Sequence, residues 1–464
     1  MLQKSVIQSF IEKLDGPVIL PGDSDYDENR ALWNAMLDKR PTLIARCHSA
    51  ADVTASVNLA REQGLPVAVR GGGHNVAGLA SVDDGLMIDL SPMNAVHVDP
   101  VACTAHVHGG AIWGDVDRRT QEFSLATPSG IISTTGVGGL TLGGGFGWLS
   151  RKYGLTSDNV LSADVVTADG ELRKADPEQN SDLFWAIRGG GGNFGVITSF
   201  EFRLHRVGPE VLFGPTVYRL EDAAEVLRHY RDFSREAPNE CTVYADFLTA
   251  PPLPFLPEEV HGTTVLFLIQ LHAGEAETGE TTLRPLRRFG NPVADAVAPT
   301  SYAEAQSRSD PLFPKGGRYY WKSHNFAALT DNTIDALVGS AAAMPTPQCD
   351  ILIQQQGGRI GDLAPDATAY RHRDTGFVVT LGGRSEQPEQ DGECIAWARE
   401  AHAALDEHAD AGVYVNFLGH DESEERQRAA YGENTGRLRK IKAKYDPGNF
   451  FQVNHNIEPA GGSR

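Results

Sequence analysis

Three runs of glycine, at residues 71–73, 136–147 and 189–195, are the first feature of this chain with chemical potential. Of its 49 glycines, 23 fall between Gly71 and Gly195. Glycine has no Cβ, so each run can turn sharply or let another group lie close to backbone. Consecutive backbone N–H groups in such turns form nests that hold pyrophosphate oxygens. The runs are interleaved with Val, Ile, Leu and Trp and lack a G-X-Y period. That excludes a flexible linker and a collagen-like segment. Each run borders a strand or tight turn, a pattern suited to several loops converging on one extended ligand.

Simpler phosphate sites fail. No G-x-x-x-x-G-K-[ST] occurs, so a P-loop hydrolase is excluded. Gly190, Gly192 and Gly195 form a G-x-G-x-x-G, but Val196–Leu204 alternates like a strand where a dinucleotide fold needs a helix. His106-x-His108 would place two imidazoles on one strand face, without a third ligand at metal spacing, so no metal is expected. The five cysteines (Cys47, Cys103, Cys241, Cys349, Cys394) are odd in number, scattered and free of C-x-x-C, which fits a reducing compartment. With 41 basic against 61 acidic residues the net charge is −20, which disfavours nucleic acid and anionic membranes as partners. No apolar run reaches the roughly 18 residues of a membrane span. No secretory signal is visible, and a cytoplasmic protein is expected.

The elements that must carry these loops are legible in part. Leu43–Ala45, a helix capped by Ser49 and ended by Gly64, and Val67–Val69 read as strand, helix, strand running into the first glycine run. Short strands follow at Leu86–Leu90, Val96–Val98 and Ala163–Thr167, the last closed by the turn Asp169-Gly170. After about residue 208 longer strands appear, at Thr242–Leu248, Thr264–Leu271, Asp350–Gln356 and Gly376–Leu381. Helices lie between them at Ala223–Arg235, Thr333–Ala343 and Cys394–Glu407, and another is expected over Glu422–Lys444. The pattern is α+β, with a large antiparallel sheet backed by helices in the second half.

The order Arg70-Gly-Gly-Gly-His74-Asn75, then Gly136-Val-Gly-Gly-Leu-Thr-Leu-Gly-Gly-Gly-Phe-Gly-Trp148, then Arg151-Lys-Tyr-Gly-Leu-Thr-Ser-Asp-Asn159 resembles the FAD-linked oxidases of the berberine-bridge-enzyme-like group. These belong to the vanillyl-alcohol-oxidase superfamily, with a PCMH-type FAD-binding domain. Asp182-Leu-Phe-Trp through Gly195, Tyr414-Val-Asn-Phe417, and Lys444-Tyr-Asp-Pro-Gly-Asn-Phe450 running into Asn454-His-Asn-Ile457 extend the match over nearly the whole chain. The resemblance implies a two-part fold. Residues 1–208 would form the FAD-binding domain, with a PCMH-type core at about 37–208. Residues 209–420 would bind substrate, and 421–464 would return to the FAD domain.

It also implies roles. His74 would carry FAD covalently on its 8α carbon, as in the bacterial mono-covalent type. Ile132 stands where a second, cysteinyl link would form, so none is expected. The remaining cradle would comprise Arg70, Gly71, Gly72, Gly73, Asn75, Gly78, Thr135, Gly136, Gly139, Asn159, Gly195, Val196 and Asn456. Asp158 reads equally as a turn residue, and Trp148 and Tyr153 as packing. The family's usual tyrosine base falls on Phe417, so that role does not transfer. Tyr414 and Asn416 alternate as on one strand face and, with Tyr320, are the catalytic candidates. His420, Gln354 and Gln356 are further candidates, and Thr368–Arg373 is read as sheet structure. The expected activity is oxidation of a small sugar, alkaloid or other secondary metabolite, with O2 reduced to H2O2, by a monomer or homodimer. A flavin oxygenase or cyclase, and a non-catalytic binding protein on the same fold, remain open.

Overall fold

A computed structural model describes residues 2–410 and 412–461. The strand–helix–strand unit forms as its caps dictate. Ser49 accepts a hydrogen bond from the Asp52 N–H at 3.2 Å, and Gly64 ends helix Ala50–Gln63 in the left-handed region, φ 63°. Strands Leu43–Arg46, Leu86–Asp89 and Val67–Arg70 run parallel in one sheet, with Val18–Ile19 on its edge. A second, antiparallel sheet has the order Val96–Asp99, Thr104–His108, Val196–Arg203, Val160–Val166, Leu172–Ala175. The strand at Val196–Arg203 is the one that argues against a dinucleotide-binding helix there.

Residues 210–385 build a large antiparallel sheet. Its consecutive strands include Thr264–His272, Cys241–Thr249, Asp350–Gln355, Phe377–Ser385 and Arg318–Phe326. Helices Ala223–Glu236, Asp331–Ala342 and Asp391–Leu405 bury one face together with Val243, Phe247, Ile351, Ile353, Val379 and Leu381. Side chains alternate along a strand, so Asp246, Leu352, Gln354, Thr380, Gly382 and Trp321 occupy the other face.

The chain's end returns to the first half. Lys442, fully buried on helix Thr435–Tyr445, donates to Asn193 O at 2.7 Å and Phe451 O at 2.8 Å, and pairs with Asp446 at 2.7 Å. Asn193 in turn donates to His455 O and accepts from the Ile457 N–H. One buried ammonium therefore pins the third glycine run to the C-terminal segment.

Three expectations need correction. The helix expected over Glu422–Lys444 is two helices, Glu424–Ala429 and Thr435–Tyr445, separated at Gly432 with φ 50°. Residues 368–373 form no strand. They lie as a loop against the third glycine run, where Tyr370 N–H donates to Arg188 O, and Arg373 pairs with Asp158 at 2.7 Å. Tyr414 to Phe417 is a tight helical turn rather than a strand.

Lys442→Met leaves Asp446 buried without its counter-charge, and breaking such a pair costs about 3–5 kcal/mol. The expected outcome is a lower urea midpoint with flavin lost early in the transition. An unchanged midpoint would remove this pin from the account.

Candidate active site

The glycine runs converge on one cleft of about 2000 Å³ that opens to solvent. Its lining joins all three runs to the C-terminal residues 451–455 (Gln452 excepted) and to the large sheet's helix-free face. Gly71, Gly72, Gly73, His74, Asn75, Thr135, Gly136, Gly139, Gly195 and Val196 all line it, as do Tyr414 and Asn416. Among the described residues, the N–H groups of Gly72, Gly73, His74 and Asn75 donate to no protein acceptor. Four consecutive free amides, with Gly73 at φ 70°, are a nest for oxyanions. A Cβ on Gly139 or Gly192 would meet nothing within 4 Å, so this wall is bare backbone facing open space.

Other expected residues act one step back. Arg70 forms two hydrogen bonds with Asp89, at 3.0 and 2.7 Å, and donates to Asn29 O. Burial would raise the Asp89 carboxyl, but these bonds from Arg70 outweigh it and hold it below its usual range. Asn159 donates to Tyr153 O and Leu155 O and meets His205 at 2.7 Å, which fixes the turn around Asp158. Gly78 and Asn456 are outside the lining, although Asn456 Oδ1 is buried without a partner. Trp148 packs on Phe213 and Tyr244, and Tyr153 stacks on His205.

His74 is held from two sides. Its ring stacks on Trp33, centroids 4.6 Å apart and planes 18° from parallel, and Trp33 stacks in turn on Tyr319 at 3.7 Å. Its Nε2 lies 3.1 Å from Thr134 Oγ1, while Nδ1 has no hydrogen bond among the described residues. Burial lowers its pKa to about 4, so the imidazole is neutral at pH 7.

The catalytic candidates separate. Tyr320 points away from the cleft by strand parity, since its neighbours Tyr319 and Trp321 share the other face. Its hydroxyl donates to Asp421 at 2.8 Å and accepts from Arg399, so it is not brought to the site. His420 and Gln356 are also outside, whereas Gln354 lines the cleft. Tyr414 is buried, and its hydroxyl accepts from Gly145 N–H at 3.1 Å and Asn416 Nδ2 at 2.9 Å. Burial drives its pKa up, so it stays protonated and cannot accept a proton near neutral pH. Asn416 Nδ2 also reaches Gly139 O and Leu140 O, tying this turn to the second glycine run. Phe417 completes the aromatic wall beside Phe146 and Trp321.

Sequence reasoning missed Trp33, Phe313, Trp321, Asp350 and Thr380, which the fold brings to the cleft. The alternation of Tyr319, Trp321 and Ser323 was the available signal for the strand that carries Trp321. Trp33 lies in an irregular segment that carries no periodic signal.

A cleft lined by glycine backbone, a histidine and one face of a large sheet is suited to an extended cofactor and a small substrate. A family model described as FAD binding domain matches residues 41–176, and one described as Berberine and berberine like matches 413–458. An FAD-linked oxidoreductase of Dictyostelium discoideum is 32% identical over 98% of this chain and 97% of its own. The (R)-6-hydroxynicotine oxidase of Paenarthrobacter nicotinovorans is 33% identical over 97% of this chain and 98% of its own. The crystal structure of 6-hydroxy-D-nicotine oxidase from Arthrobacter nicotinovorans superposes with TM-score 0.87 at 30% identity, covering 99% of this chain and all of that one. The berberine bridge enzyme of Eschscholzia californica, at 23% identity, shares the fold with TM-score 0.87, covering 99% of this chain and all of its own. The chain belongs to the berberine-bridge-enzyme-like FAD-linked oxidoreductases and is an FAD-dependent enzyme.

Gly72 and Gly136 touch backbone to backbone: a Cβ on Gly72 would lie 2.4 Å from Gly136 N. Gly72→Ala must push the first two glycine runs apart. The expected protein is folded by circular dichroism but at least tenfold poorer in flavin, read from absorbance near 450 nm against 280 nm. Full flavin content would contradict the role given to this contact.

Proposed function

We propose that FAD is bound covalently through His74 Nδ1 and that the enzyme oxidises a small organic substrate, with O2 as the final acceptor. The observation that carries this reading is the state of His74, a neutral imidazole in the cleft with one nitrogen engaged and the other free. A nucleophilic attachment needs that state, because an imidazolium has no lone pair to give. Bound FAD supplies a two-electron acceptor for hydride, and O2 takes those electrons with two protons to form H2O2.

The chain's own residues supply binding, orientation and exclusion of water. The amides of residues 72–75 and the bare backbone at Gly139 and Gly192 would hold the pyrophosphate and let the cofactor lie close. Trp33 and Thr134 fix the imidazole plane. Ile132 lines the cleft, so the position of a second linkage is filled by an alkyl side chain that forms no bond. Tyr414 presents a protonated hydroxyl and orients a substrate oxygen or nitrogen as a hydrogen-bond donor. Phe146, Phe417, Trp321 and Leu352 keep that space apolar. Relatives named (R)-6-hydroxynicotine oxidase and xylooligosaccharide oxidase support a substrate among alkaloid-like or sugar-like small molecules.

The wild-type protein is expected to fluoresce as a yellow band on a denaturing gel and to yield a flavopeptide containing His74 and no flavin–cysteine bond. His74→Ala should release its flavin on acid precipitation; a retained covalent flavin would refute the anchor. Because the His74 pKa lies at about 4, covalent incorporation into the unloaded protein should be flat from pH 5.5 to 8 and fall only in acid. An inflection near the ordinary histidine value of about 6.5 would show that the imidazole is not held neutral. Steady H2O2 release with an oxidisable substrate supports O2 as acceptor, and an oxygen atom from O2 in the product would point instead to an oxygenase.

A further inference from the structure

The glycine runs and His74 form one wall of the cleft, and the opposite wall carries a carboxylate that the reading above does not use. Asp350 lines the cleft and is only 4% exposed. The register sets it opposite Gly382, where a Cβ would lie 2.1 Å from Asp350 Oδ1, so the missing side chain makes room for the acid. Arg384, two residues on, brings Nε to 3.0 Å from the same oxygen. Arg384 is itself braced, donating to Leu312 O at 2.8 Å and stacking 4.3 Å over the ring of Phe313, another lining residue.

A second acid stands behind the first. Asp246 lies on the same sheet face, opposite Leu352 and so one diagonal step from Asp350. It is buried, and its Oδ1 has no partner among the described residues. The other titratable group facing this cluster is Tyr319, whose hydroxyl donates to Pro314 O at 2.6 Å and is committed there. Only Asp350 meets the guanidinium at ion-pair distance among the described residues, and its Oδ1, like Asp246 Oδ1, is left without a hydrogen-bond partner. Burial pushes both upward, and the neighbouring Asp350 charge pushes Asp246 further. Arg384 opposes this at both.

We propose that Asp350, backed by Asp246, is the docking point for a cationic nitrogen, so that the chamber selects apolar or flat substrates bearing an ammonium or a protonated ring nitrogen. On docking, the acidic cluster faces two cations instead of one. Trp321, Phe313 and Leu352 supply the apolar surroundings for the rest of such a molecule. Anionic compounds meet two acids and are excluded. This inference rests on the reading that FAD fills the glycine side of the cleft and leaves this side to substrate.

Calorimetry on the holoenzyme with benzylammonium chloride, benzyl alcohol and sodium benzoate tests it without knowledge of the natural substrate. The expected result is benzylammonium at least tenfold tighter than benzyl alcohol and no binding of benzoate. Asp350→Asn should abolish the preference for the ammonium while the flavin spectrum stays unchanged. Asp246→Asn should keep the docking and weaken benzylammonium binding less than Asp350→Asn does. Equal binding of alcohol and ammonium, failure of benzylammonium to bind, or a preference retained in Asp350→Asn would overturn the proposal. Protein isolated without flavin would instead fail the cofactor reading, and the calorimetric preference is measured independently of it.

Discussion

The structure depends on a contact that only glycine permits. Gly72 and Gly136 approach so closely that a Cβ on either would fall 2.3–2.4 Å from the other's amide nitrogen. No rotamer relieves a clash between backbones. The contact locks the loop after strand Val67–Arg70 to the start of helix Val137–Leu142. Residues 72–75 line the cleft, and their amides donate to no protein acceptor among the described residues. A buried ammonium secures the third run. Lys442, bonded to Asn193 O, Asp446 and Phe451 O, makes the C-terminal segment part of the first half of the molecule. Taking a lysine out of water is costly, and here three oxygens replace the lost hydration.

The two halves of the cleft obey different physics. The glycine wall recognises with backbone, which tolerates little and varies little in chemistry. The sheet wall recognises with side chains, and strand alternation decides which of them count. One residue's difference in position sends Trp321 to the cleft and Tyr320 to the helix side, where Asp421 and Arg399 engage it. Asp350 reaches the cleft because the residue opposite it is Gly382. The same sheet therefore buries an ordinary apolar core on one face and a charged cluster on the other. Tyr414 shows the reverse separation of identity and role. It lies in the cleft as its motif suggests, but burial keeps its proton on, against the two hydrogen bonds its oxygen accepts.

The sequence carried the cofactor wall almost entirely. Glycine runs, caps and the strand–helix–strand unit are local signals, and all of these landed where the spacing set them. His74 was singled out by the motif it shares with the resembled family, but its neutrality comes from burial, and its ring is held by Trp33 and Thr134, which are distant in the chain. Arg70 and Asn159, expected at the ligand, lie outside the cleft lining, where their polar side chains satisfy backbone carbonyls and Asp89. The misjudged elements share one cause. Residues 368–373 and 414–417 have strand-like composition, but they pack on the glycine runs, where a ladder partner is absent and tertiary contacts set the backbone.

By itself, then, the sequence determined the α+β class, the loops that take the cofactor and the histidine beside them, because glycine and capping rules act over a few residues. Only the tertiary structure decided which side chains face the substrate. That choice rests on register between strands up to about a hundred residues apart, such as Tyr244 to Gln354 and Asp246 to Leu352. A shift of one residue in such a pairing would exchange the two faces, and no local pattern in the chain records it.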